Sequence, residues 1–166
     1  MPFLRTMKDF YLSETTREYY SKALAHIRNC GDEFWDLDPD LDKYIDLVNL
    51  SPNVRTMYSK RGRGTFGNGL GSYLTVCYAK EVESQILNEI NSKLKTTFET
   101  KRWCEFLSQL RQPKIEQEND GANPYLQYIV DPNYWNIYNI RFELKGGSSD
   151  DHDRFWTILS EELSKL

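Results

Sequence analysis

Apolar residues fall into two rhythms along this chain, one suited to helices and one to strands. From Ser13 to Asn29, Tyr20, Leu24 and Ile27 share one face of a helical period, with Ser13 placed as an N-cap and Gly31 as a stop. Leu41, Tyr44, Ile45 and Val48 repeat the i, i+3, i+4, i+7 spacing, so a second helix is predicted over 40–50, ended by Pro52. Val82, Ile86, Ile90 and Leu94 form a stripe that predicts a helix over 81–98. Trp103, Phe106, Leu107 and Leu110 predict another before Pro113, and Phe155, Ile158, Leu159 and Leu163 a last one over 150–166. β-Branched and aromatic residues predict a strand over 72–79. Tyr125 to Val130, the turn Asp131-Pro132-Asn133 and Tyr134 to Leu144 read as an antiparallel hairpin. The expected fold is α+β, a small, mainly antiparallel sheet of about three or more strands covered by about four or five helices. One globular domain is expected over 1–166.

Composition narrows the class. No run of about 20 apolar residues is present, so no membrane partner is expected. The 23 aromatic residues give enough burial to exclude a wholly disordered chain. The net charge of -4 hides a segregation. Asp32, Glu33, Asp36, Asp38, Asp40, Asp42 and Asp46 face a single base, Lys43, which leaves 20 bases against 18 acids elsewhere. Leu47 to Lys80 holds no acid at all. Two oppositely charged stretches select partners by electrostatic complementarity. Cys30, Cys77 and Cys104 are odd in number and far apart, so they read as small core residues and not as a disulfide or zinc framework. The start, Met1-Pro2-Phe3-Leu4-Arg5, carries no long apolar run, and a cytoplasmic, reducing location is expected. His26 and His152, the only histidines, read as ordinary surface or helix-end residues.

Between the predicted second helix and first strand lies Gly62-Arg-Gly-Thr-Phe-Gly-Asn-Gly-Leu-Gly71, with five of the nine glycines. It matches G-x-G-x-x-G, but a dinucleotide site needs a strand before the loop and a helix after it, and here the order is reversed. The loop, the strand and Lys80 also resemble the glycine loop and strand lysine of protein kinases. The remaining chain holds no His-Arg-Asp and no Asp-Phe-Gly, which leaves no catalytic base and no magnesium aspartate. The same glycines resemble the lid of the ATPase superfamily that includes gyrase, but its Asp-x-Gly-x-Gly adenine turn is missing. What remains is a cationic segment flanked by Tyr58, Phe66 and Tyr73. There Arg55, Lys60, Arg61 and Arg63 are candidates to meet the phosphates of nucleic acid while rings stack on bases.

Phe142-Glu-Leu-Lys145 places an acid-x-lysine in a predicted strand, which resembles the PD-(D/E)xK nuclease signature. That resemblance implies a magnesium ion held by carboxylates and a lysine assisting the attacking water. Asp131, at the hairpin turn, stands roughly 30 Å from Glu143 at about 3.3 Å per residue, too far to share a metal. Asp120, near the far end of the incoming strand, is the candidate that approaches Glu143 and Lys145. Glu99-x-Lys101 repeats the triplet, so the spacing alone is not specific.

Phe34-Trp35-Asp36-Leu37-Asp38-Pro39-Asp40 interleaves aromatics with acids, the composition of a docking patch with an aromatic anchor ringed by charge. Together with the lack of a convincing catalytic set, it leads to the expectation of a non-enzymatic protein-interaction domain, an inhibitor, immunity-type or adaptor protein without cofactor. Its partner-binding residues would be Phe34, Trp35, Asp36, Asp38 and Asp40. The alternative is a nucleic-acid-binding protein or a magnesium-dependent nuclease.

Overall fold

The computed structural model describes residues 10–30, 39–62, 71–112 and 137–166. Helices α1 (Glu14–Cys30) and α2 (Asp42–Val48) precede strands β1 (Val54–Lys60) and β2 (Ser72–Tyr78). Helix α3 (Asn91–Glu99) then leads to β3 (Cys104–Arg111), β4 (Asn139–Gly146) and α4 (Ser149–Ser164). The strands form one antiparallel sheet in the order β1-β2-β4-β3, so the fold is α+β as the patterning predicts. Because β4 lies between β2 and β3, the β2-α3-β3 segment is a split β-α-β unit. Moving β1 to the end of the element order would give the βαββαβ arrangement.

Side-chain alternation assigns the two faces of the sheet. Leu74, Val76 and Tyr78 of β2, Ile140, Phe142 and Leu144 of β4, and Phe106 of β3 point into the main core. Helices α2, α3 and α4 cover that face: Tyr44 stacks on Trp156, and Phe98 meets Phe155 edge-on. Helix α1 lies against the opposite face at one end, where Tyr20 and Ala23 join Cys77 and Ile137 in a second cluster. Arg28 reaches from α1 to Asp46 and Asp42 on α2, at 2.7 and 3.4 Å, so part of the acidic stretch is spent on helix packing.

Local chemistry explains the helix boundaries. The Ser13 hydroxyl accepts from Thr16 N–H at 3.3 Å and the Thr16 hydroxyl accepts from Ser13 N–H at 2.8 Å, a reciprocal cap at the predicted position. Ser148 and Asp151 form the same kind of box at the start of α4. Val82, Ile86, Ile90, Leu94 and Phe98 are all buried, which is a repeat of four where an α-helix turns every 3.6 residues. The chain meets that spacing by winding Gln85–Ile90 as a π-helix, whose wider turns offset the drift of the α-helix that follows.

Three predictions are corrected. The stretch before Pro113 is strand β3 and not a helix: Phe106 is buried, while Leu107 and Leu110 stand on opposite faces of an edge strand. Between α3 and β3 the backbone turns at Trp103, which takes a left-handed φ of 71°. Opposite it, Gly146 has φ 70°, and a Cβ there would lie 2.0 Å from the Trp103 carbonyl oxygen. Second, Val54–Lys60 is a strand that the pattern did not announce, because a bulge between Thr56 and Tyr58 breaks its alternation. Third, β4 is a central strand with β2 and β3 on its two sides, not the outgoing arm of a hairpin with Tyr125–Val130. Residues 125–130 lie outside the described ones.

The Asp151 carboxylate accepts from Lys101 Nζ at 2.5 Å and from Ser148 N–H at 2.8 Å. The lysine first, then the backbone donor, hold it well below the ordinary carboxylate range. Glu162, between Lys93 and Lys165, is lowered in the same way. A carboxyl lowered in the folded state stabilises above its unfolded value of about 4 and ceases to do so as pH falls through its folded value. Urea midpoints should therefore be flat from about pH 7 to 5 and fall below about pH 4, with a shallower fall in Asp151→Asn. An unchanged acid limb in that variant would refute the assignment.

Candidate nucleic-acid interface

Among the described residues, no element other than α1 covers the second face of the sheet, called the open face below. The register places its side chains in rows that cross all four strands. One row is Lys60, Tyr73, Glu143 and Leu107, and the next is Tyr58, Thr75, Arg141 and Gln109. Arg55, Cys77, Asn139 and Arg111 form the row nearest α1, and Glu105 and Lys145 pair at the other end. Lys60, Glu105, Gln109, Arg111 and Lys145 are exposed, Tyr58 is 36% exposed and Leu107 38%.

The chemistry of this face is aromatic and cationic. The Arg141 guanidinium lies 3.9 Å from the centre of the Tyr73 ring, a cation–π pair. Arg141 Nε is buried and makes no hydrogen bond; the nearest carboxylate oxygen, on Glu143, is 3.8 Å away. Tyr58 and Tyr73 are diagonal neighbours on adjacent strands, a Cα spacing of about 7–8 Å. Although the residue is about a third exposed, desolvation around its hydroxyl raises the Tyr58 phenol above its ordinary range, against the opposing pull of Arg111. Tyr58, Thr75, Gln109, Arg111, Asn139 and Arg141 enclose a notch of about 90 Å³ lined by amide and guanidinium donors.

The candidates from the sequence separate in this frame. Lys60 stands on the open face. Arg55 is a staple: its guanidinium donates to the carbonyls of Asn49, Ser51 and Val54 and to the Ser21 hydroxyl of α1. Arg61 is ion-paired with Asp153 of α4, and Arg63 lies outside the described residues. Glu143 and Lys145 share the open face with a single residue between them, and Asp120 lies outside the described residues. The hairpin along β4 that would bring Asp120 toward Glu143 is excluded, because β2 and β3 take both sides of β4. Among the described residues no three His, Cys, Asp or Glu side chains are grouped to hold a metal ion. Of the acidic-aromatic stretch, Asp40 is exposed beside α2, and Phe34, Trp35, Asp36 and Asp38 lie outside the described residues.

Reasoning from sequence missed the contribution of Arg111, Gln109 and Arg141, because the stretch around Arg111 reads as helical and only pairing aligns these residues with Tyr58. His152 stands in the first turn of α4, the helix-end position expected, but it is fully buried there. Gly62 N–H donates to the Ser72 hydroxyl at 2.8 Å, and that hydroxyl lies 2.6 Å from His152 Nδ1, which accepts its proton in the tautomer that carries hydrogen on Nε2. His152 Nε2 then donates to the Gly146 carbonyl at 2.7 Å. With Ser72 itself buried, this is a tie between strand ends and not a nucleophile with its base. Cys77 is a core residue as expected, and burial raises its thiol well above the ordinary range. Burial, then Asp151, raises Cys104 as well.

A larger cavity of about 530 Å³ opens near the start of α1. Arg17 and Lys80 line it together with Glu14 and Glu81, so its charges balance and select no ligand sign.

The class these features define is an α+β domain with a split β-α-β sheet, three helices on one face, and α1 beside an aromatic-cationic surface on the other. Comparison with protein-family models, with curated proteins and with solved structures finds no match to this chain. No helix among the described residues is long and apolar enough to cross a membrane.

Proposed function

We propose that this protein binds single-stranded nucleic acid across the open face of its sheet. The observation that carries this reading is the alignment of Tyr58, Tyr73 and Arg141 on three adjacent strands, with Lys60 and Arg111 beside them. Bases have planar faces that stack on such rings and on guanidinium planes, and a four-stranded sheet offers them in series. Among the described residues of this surface, Lys60, Arg111, Arg141 and Lys145 outnumber Glu105 and Glu143, a balance opposite to the net charge of the whole chain. The notch between Tyr58 and Arg111 supplies donors for a phosphate or a base edge.

The test is fluorescence anisotropy with labelled single strands of about 12 nucleotides, RNA and DNA, against a duplex of the same sequence. Single strands should bind with a Kd on the order of 1–100 μM at physiological salt and tighter than the duplex, whose bases are already stacked. Equal affinity for duplex and single strand, or no binding at low salt, would overturn the proposal. Magnesium added to the same mixtures examines the nuclease expectation: cleavage that Glu143→Ala abolishes would assign Glu143 to it. If nucleic acid fails to bind, the acidic-aromatic stretch remains as a protein-docking surface, and loss of a purified partner on Trp35→Ala is the result to seek.

A further inference from the structure

The two edges of the sheet are built differently. Edge strand β1 carries a bulge between Thr56 and Tyr58, and Arg55 ties it to α1, devices that keep an edge from pairing with another chain. Edge strand β3 has neither. Its eight residues pair with β4 in an unbroken register from Cys104↔Gly146 to Arg111↔Asn139. It contains no proline and no lysine, and Leu107 and Leu110 are 38% and 39% exposed. Among the described residues nothing pairs with its outer side.

The sequence of β3 complements itself when reversed. Placed antiparallel to a second copy about Ser108, it sets Glu105 opposite Arg111, Phe106 opposite Leu110 and Leu107 opposite Gln109. Every pair then joins residues of equal parity, so side chains stay on their own faces and ladder groups meet ladder groups. Two Glu–Arg pairs form on the open face, and two Phe–Leu pairs on the core side. Shifting the register by two residues toward the amino-terminal end puts Glu105 opposite Gln109 and forfeits the charge match. We infer that this edge pairs with the β3 edge of a second copy of the chain, giving a two-fold dimer with one continuous eight-stranded sheet and both open faces on the same side.

This inference stands independently of nucleic-acid binding and is tested without it. Sedimentation velocity over a concentration series should show a monomer shifting to twice its mass. Glu105→Arg or Arg111→Glu alone sets like charges opposite each other twice and should weaken the dimer by about 10-fold or more. The double variant Glu105→Arg/Arg111→Glu restores opposite charges and should recover dimerisation to within about threefold. These positions are exposed, so circular dichroism should be unchanged in all three variants. Backbone amide exchange over 104–111 should slow as the dimer fills, since new ladder bonds form there. A monomer at every concentration overturns the inference. So does a dimer insensitive to both single swaps, or one that the double variant fails to restore.

Discussion

Replacing His152 with alanine is expected to lower the unfolding free energy by about 4 kcal/mol, among the largest losses for a side chain far from any ligand. The ring is fully buried and hydrogen-bonded on both sides, to the Ser72 hydroxyl and to the Gly146 carbonyl. Without it the Ser72 hydroxyl loses its acceptor and the Gly146 carbonyl loses a donor. Each orphaned buried group costs about 1–3 kcal/mol, and the vacated volume adds a cavity term. The melting temperature of a chain this size should fall by roughly 8–16 °C. In urea the midpoint should drop with the slope unchanged, which marks a change in stability and not in the extent of unfolding. Ser72→Ala leaves Gly62 N–H without its acceptor and His152 Nδ1 without its donor but opens a far smaller cavity, so it should cost less, about 2–3 kcal/mol. The pair Ser72→Ala/His152→Leu removes both partners and refills the space, so it should be more stable than His152→Ala alone. A loss below about 1 kcal/mol in His152→Ala would mean the network is not closed as described. The consequence for the open face is direct: the tie joins the start of β2 to the end of β4, next to Tyr73 and three residues from Glu143.

Elements that bury a continuous face were legible in the sequence, and elements that do not were misread. Helix α4 shows the former case: Phe155, Leu159 and Leu163 are buried at helical spacing. Strand β3 shows the latter. Trp103, Phe106, Leu107 and Leu110 have a helical period by coincidence, and as an edge strand with Phe106 alone buried β3 is held by its ladder to β4 and not by an apolar stripe. Strand β1 was hidden by its own bulge, which puts two successive residues on one side and erases the alternation. The candidate site follows the same logic. Tyr58, Lys60 and Tyr73 flank the glycine loop in sequence and could be singled out there, but Gln109, Arg111 and Arg141 join them only through strand order, which no local pattern encodes. The bases of the cationic segment had different fates for a geometric reason: Arg55 and Arg61 lie within reach of carbonyls and of Asp153, while Lys60 has no ion pair among the described residues.

If the open face binds a single strand, its residues should divide by mechanism when substituted. Tyr73→Ala and Tyr58→Ala should each raise Kd by about 5- to 150-fold, the loss of about 1–3 kcal/mol of stacking. The corresponding phenylalanine variants keep the ring and should stay within about threefold of the parent. Arg111→Ala and Lys60→Ala should act through phosphates, so each should lower the slope of log K against log salt by about 0.7 and weaken all sequences alike. Arg141→Ala should do both, because its guanidinium is at once a charge and a stacking plane on Tyr73. Arg61→Ala serves as the contrast: its charge is committed to Asp153, so its loss should disturb packing while leaving the salt slope unchanged. The decisive comparison is between ring and charge. Should Tyr73→Phe bind as weakly as Tyr73→Ala, the hydroxyl and not the ring makes the contact, and stacking is the wrong account. Should Arg61→Ala flatten the salt slope as much as Arg111→Ala, the strand runs along the β1–β2 connection and not across the sheet.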